Sequence, residues 1–195
     1  GAVGPGVTHA VGAVEIVARA SRPAAGKAML RRMPPNASQT VADLLHDAIE
    51  RLVRVPSSPR SDAEELLSRT LGVGRGDLRL MAARPVEAAH RDTFEARLAR
   101  RLAGEPVQYI TGFAAFRDLD LAVDGRVLIP RPETEGLVEA VLDALAAERA
   151  HWEQPRVLDL GTGSGAIAIA IAQEWPAAIV RATDGGDGAL QVARA

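Results

Sequence analysis

The chain has 195 residues with 23 Lys and Arg against 25 Asp and Glu, a length that fits one medium domain or two small ones and excludes a large multidomain machine. Hydrophobic residues make up 47% and charged residues 25%, a globular balance that argues against a wholly disordered, collagen-like or membrane-embedded chain. Cysteine is absent, which removes disulfides, thiolate metal sites, iron–sulfur clusters and a cysteine nucleophile, so redox chemistry would need a cofactor. The formal charge of −2 is uneven: residues 1–40 carry Arg19, Arg22, Lys27, Arg31 and Arg32 against Glu15 alone, and the rest is acidic, which does not describe a nucleic-acid-binding face.

Residues 1–38 are rich in Ala, Gly, Val and Pro and hold no aromatic residue. Glu15 interrupts their only apolar run, so they read as a flexible leader rather than a secretory signal. From Thr40, Val41, Leu44, Leu45, Ala48, Ile49 and Leu52 recur at helical spacing. A second helix is expected from Ser61, which stands at capping-box spacing from Glu64, with Leu66, Leu67 and Leu71 as its buried stripe and Gly72 as its end. On that reading Ser61→Ala costs about 1 kcal/mol. A short helix over 77–83 follows. Pro85 then opens a longer helix whose basic end, Arg97, Arg100 and Arg101, suits the negative pole before Gly104 and Pro106 stop it. Residues 39–105 thus read as a small helical bundle.

Residues 113–129 alternate better than they wind, with Leu119, Leu121 and Val123 separated by Asp120 and Ala122 and a turn expected at Asp124-Gly125; residues 106–133 read as a β-hairpin linker. Pro130 and Pro132 force extended backbone at Ile129 and Arg131, and Thr134 is expected to cap a helix reaching about residue 150. A βαβ grammar closes the chain over 134–195: a strand at Arg156–Leu160, a helix over 164–174, a strand over 178–183 and a helix from near Asp187. Residues 160–173 form the longest uncharged apolar stretch. They are too few to span a bilayer and are broken by three glycines. Two parallel strands with one crossover cannot bury both faces of a sheet, so the sequence is expected to be a carboxyl-truncated product or fragment.

The most informative run is Asp159-Leu160-Gly161-Thr162-Gly163-Ser164-Gly165, where the first strand gives way to its helix. Glycines let the backbone turn tightly and approach a ligand, and the helix start exposes unpaired N–H donors. Asp184 ends the next strand, the place from which a carboxylate accepts hydrogen bonds from ribose hydroxyls. Gly161, Gly163 and Ala166 also fit the dinucleotide fingerprint, so the motif alone leaves nicotinamide cofactors and S-adenosylmethionine both open. Charge favours the second: a carboxylate at 159 about 5 Å from a pyrophosphate would be repelled by about 3 kcal/mol per charge pair at an effective dielectric near 20. S-adenosylmethionine carries a sulfonium and an ammonium and no phosphate. A P-loop is excluded by the missing Gly-Lys-Ser/Thr.

Residues 126–135, Arg-Val-Leu-Ile-Pro-Arg-Pro-Glu-Thr-Glu, followed by Val-Leu-Asp-Leu-Gly-Thr-Gly-Ser-Gly at 157–165, resemble the PrmC/HemK family of protein-glutamine N5-methyltransferases. Gly-Glu-Pro-Val-Gln-Tyr-Ile-Thr-Gly at 104–112 and Ser-Asp-Ala-Glu-Glu-Leu-Leu at 61–67 extend the resemblance over residues 40–195. It implies an α/β chain: an amino-terminal helical bundle, a β-hairpin linker and an incomplete class I (Rossmann-like) methyltransferase domain. It implies a cytoplasmic enzyme that uses S-adenosylmethionine to methylate the glutamine of the Gly-Gly-Gln tripeptide in class I peptide chain release factors, docked on the helical domain, without direct nucleic-acid, membrane or metal partners. Asp159, Gly161, Thr162, Gly163, Ser164 and Gly165 would form the cofactor loop and Asp184 the ribose acid, while Pro130, Arg131, Pro132, Glu133, Thr134 and Glu135 would line the cleft between cofactor and glutamine.

The family's catalytic Asn-Pro-Pro-Tyr is absent, so no catalytic residue is assigned and the chain is expected to be inactive alone. An amide nitrogen is a poor nucleophile that must be oriented against the methyl group, and those residues would do it. Gly185-Gly186-Asp187 also departs from the family pattern and weakens the following helix start. The alternatives are a nicotinamide-dependent oxidoreductase and a non-catalytic helical release-factor-binding fragment. Arg75-Gly76-Asp77 reads as a turn, Asn36-Ala37-Ser38 means nothing without secretion, and His9, His46, His90 and His151 are too scattered to hold a metal. Trp152 and Trp175 read as packing residues.

Overall fold

The computed structural model describes residues 12–16, as backbone only, together with 39–148 and 151–195. They fall into two compact units, one of residues 39–111 and one of residues 12–16 with 112–195.

In the helical unit, α1 (Val41–Leu52) buries Val41, Leu44, Ala48 and Leu52, the stripe its spacing predicts. Thr40 caps it reciprocally with Asp43: the Asp43 N–H donates to Thr40 Oγ1 at 3.2 Å, and Asp43 Oδ2 accepts the Thr40 N–H at 2.8 Å. The second helix corrects the sequence reading. α2 (Pro59–Leu71) begins two residues before Ser61, behind Ser58, and no side chain caps it. Pro59 takes the first helical position, where its missing N–H costs nothing and its fixed φ suits the helix. Glu64 turns instead to Arg75, whose Nη2 donates at 2.9 Å. α2 ends where expected, at Gly72 with φ +66°.

The helix expected over 77–83 shortens to α3 (Asp77–Leu80). α4 (Ala88–Leu102) starts three residues beyond Pro85. Pro85 forms an antiparallel bridge with Thr40, and the Val86 N–H donates to the Gln39 carbonyl at 3.0 Å, so this stretch is committed to pairing. α5 (Val107–Thr111) lies inside the segment read as linker; five residues are too few to show a helical period. Leu44, Leu66, Leu67, Phe94 and Leu98 form the centre of this core. Inside it Arg101 Nε donates to Asp62 Oδ2 at 2.7 Å and Nη1 to the Glu105 carbonyl at 3.1 Å, tying α2 to the end of α4.

The second unit opens with a hairpin of β2 (Phe113–Phe116) and β3 (Leu119–Ala122). Its turn is Arg117-Asp118, not Asp124-Gly125. Arg117 adopts φ +52°, a conformation non-glycine residues seldom hold, and long-range bonds fix it there. Its N–H donates to Glu135 Oε1 at 3.0 Å and its guanidinium to Glu174, with Nη2 at 2.8 Å from Oε2. The Glu174 carboxylate, and after it that of Glu139, raises the Arg117 pKa. A 3₁₀ turn (Pro132–Thr134) leads into α6 (Glu135–Ala147). Thr134 precedes the helix with helical angles and its side chain caps nothing, a second correction: the 3₁₀ turn already carries the chain in.

β4 (Arg156–Leu160), α7 (Ala166–Glu174) and β5 (Ile179–Asp184) form the expected parallel βαβ unit, in the register Val157 to Val180 and Leu160 to Thr183. α8 (Asp187–Ala193) follows. The flexible leader read over residues 1–38 lies outside the described residues except at β1 (Gly12–Ile16), where the backbone is instead a strand paired antiparallel with the other edge of β5. The sheet order is β1-β5-β4, and Phe116, Val138, Ile171 and Val180 lie in the core beside it.

Candidate functional site

The chain reverses between β4 and α7 through three left-handed glycines, Gly161 (φ +78°), Gly163 (φ +56°) and Gly165 (φ +83°). Two neighbouring amides, those of Gly161 and Thr162, donate to the single carbonyl of Thr183 at 2.8 and 2.9 Å, which ties the turn to the end of β5. Thr183 Oγ1 returns a bond to the Asp159 carbonyl at 3.2 Å. Below the turn, the buried Asp159 accepts the Thr162 hydroxyl at 2.7 Å through Oδ2. Thr162 and Ser164 are buried as well, so the turn is braced from beneath by polar groups.

The outer side of the turn is open. A Cβ built on Gly161 or Gly163 would meet nothing within 4 Å, whereas one on Gly165 would lie 2.9 Å from Ile169 Cδ1 and 3.3 Å from Ala193 Cβ. Gly165 is therefore needed for packing. Gly161 and Gly163 are needed for backbone shape and leave room for a ligand.

Asp184 faces this opening from the end of β5. Its Oδ2 accepts the Gly163 N–H and its Oδ1 the Gly186 N–H, both at 2.9 Å. The Gly163 amide, then those of Gly186 and Gly185, hold its carboxyl below the usual aspartate range, so it is ionised at neutral pH. A carboxylate offers about four lone-pair sites, and these two bonds leave about two for incoming hydroxyls.

The structure thus brings Asp159, Gly161, Thr162, Gly163, Ser164, Gly165 and Asp184 into one arrangement. Of the residues read as the glutamine side, Pro132, Glu133 and Thr134 form a separate 3₁₀ turn, Pro130 and Arg131 lead into it, and Glu135 opens α6. Arg131, Pro132 and Glu133 are exposed, while Glu135 is held by Arg117, which also grips Glu174 at the end of α7 remote from the glycine turn. Sequence reasoning missed the Thr183 carbonyl and the Gly186 amide, main-chain groups that leave no residue-type signal. Arg75-Gly76-Asp77 is a turn, its Asp77 Oδ2 accepting the Gly74 N–H at 3.0 Å. Asn36-Ala37-Ser38 lies outside the described residues. Trp175 packs against the sheet core as read, whereas Trp152 is exposed, which corrects its reading as a packing residue. Among the described residues, no three His, Cys, Asp or Glu side chains are grouped to hold a metal, and no helix is long and apolar enough to cross a membrane.

Residues 43–112 match the family model described as the PrmC N-terminal domain. The chain is 47% identical over 138 residues to a release factor glutamine methyltransferase of Koribacter versatilis, which covers 71% of this chain and 48% of that protein. Identity is 43% over 164 residues to the enzyme of that name from Chlorobaculum tepidum (83% of this chain, 56% of that protein) and 44% over 137 residues to the one from Streptomyces coelicolor (70% and 47%). The chain belongs to the PrmC/HemK family. It spans about half the length of the curated relatives it matches. The family match and the site lie on different units: the matched family model covers the helical unit, and the glycine turn with Asp184 lies in the α/β unit.

Proposed function

We propose that the α/β unit is the opening part of a class I, Rossmann-like methyltransferase domain that holds S-adenosylmethionine, and that the whole protein methylates the side-chain amide of the Gly-Gly-Gln glutamine in a peptide chain release factor docked on the helical unit. The observation that carries this reading is Asp184. Two backbone amides fix its carboxylate beside an open glycine turn, with acceptor capacity left for a vicinal diol. The residues fit this donor on two counts. Gly161 and Gly163 leave room for it, and the acids Asp159 and Asp184 suit a sulfonium and an ammonium better than a pyrophosphate. S-adenosylmethionine supplies a methyl group activated by its positive sulfur. This chain's residues bind and orient: Asp184 takes the ribose hydroxyls, the turn supplies amides and space, and Pro130 to Glu135 enter the glutamine side.

No Asn-Pro-Pro-Tyr occurs in these 195 residues, so no residue here is assigned to hold the amide nitrogen for attack. The names of the relatives support the acceptor, and the match over 43–112 supports the helical unit as its docking part.

Calorimetric titration of the chain with S-adenosylhomocysteine and with NAD tests the reading. Binding of the first and not the second is expected. Asp184→Asn should weaken it at least about ten-fold, the loss expected when hydrogen bonds to a charged group are weakened. NAD binding with no response to S-adenosylhomocysteine would make the chain a nicotinamide-binding protein instead.

A further inference from the structure

We propose that Arg126, lying across Gly188 and forked to Asp124 and Gln191, is a positioning residue that sets the carboxylate of Asp184 for its ligand. The proposal rests on the reading of Asp184 above and adds the device that holds it.

Asp124 and Arg126 are a closed pair just after the hairpin. Asp124 Oδ1 accepts the Arg126 main-chain N–H at 3.0 Å and Nε at 2.9 Å, and Oδ2 accepts Nη2 at 2.6 Å. The remaining guanidinium nitrogen, Nη1, donates to Gln191 Oε1 at 2.9 Å, on α8. Between these ends the aliphatic stem crosses Gly188: a Cβ there would stand 3.2 Å from Arg126 Cδ, 3.5 Å from Cγ and 3.6 Å from Cβ. The arginine thus lies over a surface that any larger residue at 188 would fill. It grips α8 at 188 and 191, positions one turn apart on one face.

α8 needs such a grip. It has seven residues, is opened by Gly186 and contains Gly188, so its intrinsic helical tendency is poor and its length is below what holds a helix alone. Its first turn is also where Asp184 finds its second donor. The Gly186 carbonyl accepts the N–H groups of Ala189 at 3.0 Å and Leu190 at 3.2 Å, while the Gly186 N–H donates to Asp184 Oδ1 at 2.9 Å. Fraying of that turn would take Gly186 off the carboxylate and leave Oδ1 without its 2.9 Å bond. The coupling runs from Arg126 through Gly188 and Gln191 to the Gly186 amide, and from there to Asp184.

Amide hydrogen exchange on the 195-residue chain tests the coupling without any ligand. In Arg126→Ala the Gly186 amide should exchange about ten-fold faster than in the wild type, the loss expected of one hydrogen bond to a charged group, while the Val180 amide in β5 keeps its protection. Unchanged exchange at Gly186, or equal loss at Gly186 and Val180, would overturn the proposal, because the residue would then be idle or merely stabilising. If Arg126→Ala fails to fold, Gln191→Leu keeps the Asp124 pair and the stem over Gly188, removes the bond to α8 at 191, and carries an expectation in the same direction. A second readout is the ratio of affinities for S-adenosylhomocysteine and its 2′-deoxy analogue. The wild type should favour the ribose form about ten-fold, and Arg126→Ala should shrink that ratio rather than weaken both ligands equally. Faster exchange at Gly186 with no preference in the wild type would retain the coupling and refute Asp184 as the ribose acid.

Discussion

Gly163 and Gly165 share a positive φ but not their surroundings. Gly163 borders open space, whereas a Cβ on Gly165 would press on Ile169 and Ala193. Gly163→Ala should therefore cost about 1 kcal/mol, the price of a left-handed alanine, and Gly165→Ala about 2 kcal/mol or more because packing must shift as well. Chemical denaturation of the two variants checks this, and equal costs would contradict it. A second prediction at this scale concerns Asp124, whose carboxyl is lowered to about 2 chiefly by the Arg126 side chain. A carboxylate with a depressed folded pKa stabilises the fold above its unfolded value, about 3.9, and loses that contribution as pH falls toward the folded value. An NMR titration of the Asp124 carboxyl should have its midpoint near 2, rising in Arg126→Ala but staying below the free aspartate value of about 3.9, because the main-chain N–H of residue 126 still donates to it. A midpoint near 4 in the wild type would mean the pair is open in solution.

Among the elements, the start of each helix separates local from non-local causes. Thr40→Ala should cost about 1 kcal/mol because it removes the Oγ1 that accepts the Asp43 N–H, while Ser61→Ala, inside α2 behind Pro59, should stay within about 0.5 kcal/mol. Thermal melts of the two variants distinguish this assignment from one in which Ser61 opens the helix. The same contrast explains what could be read in advance. The strand, glycine turn, helix and strand over 156–184 were legible because their signals are local: an apolar run, glycines at the reversal, an acid at the strand end. The hairpin turn was not. Asp124-Gly125 has the better turn composition, yet the chain reverses at Arg117, whose partners Glu135 and Glu174 lie 18 and 57 residues away. α5 was invisible for a different reason, since five residues hold too little of a helical period. The site acids and glycines could be named from residue types. The Thr183 carbonyl and the Gly186 amide could not, because any residue supplies those groups.

Taken whole, the described chain holds two cores. One is built from helices, around Leu66 and Phe94; the other lies beside the sheet, around Ile171 and Val180. β4 is the outer strand of the sheet among the described residues, and its Leu160 is 74% exposed, so the glycine turn starts from a strand supported on one edge. The turn keeps its shape through β5 instead, by the bonds to Thr183 and Asp184. That dependence is the centre of the account: the donor is held where the β4 turn and the end of β5 meet. The most direct measurement is an amide chemical-shift map of the chain as S-adenosylhomocysteine is added. The account predicts saturable shifts concentrated at residues 161–165 and 184–186. Shifts confined to the helical unit, or none at millimolar ligand, would contradict it.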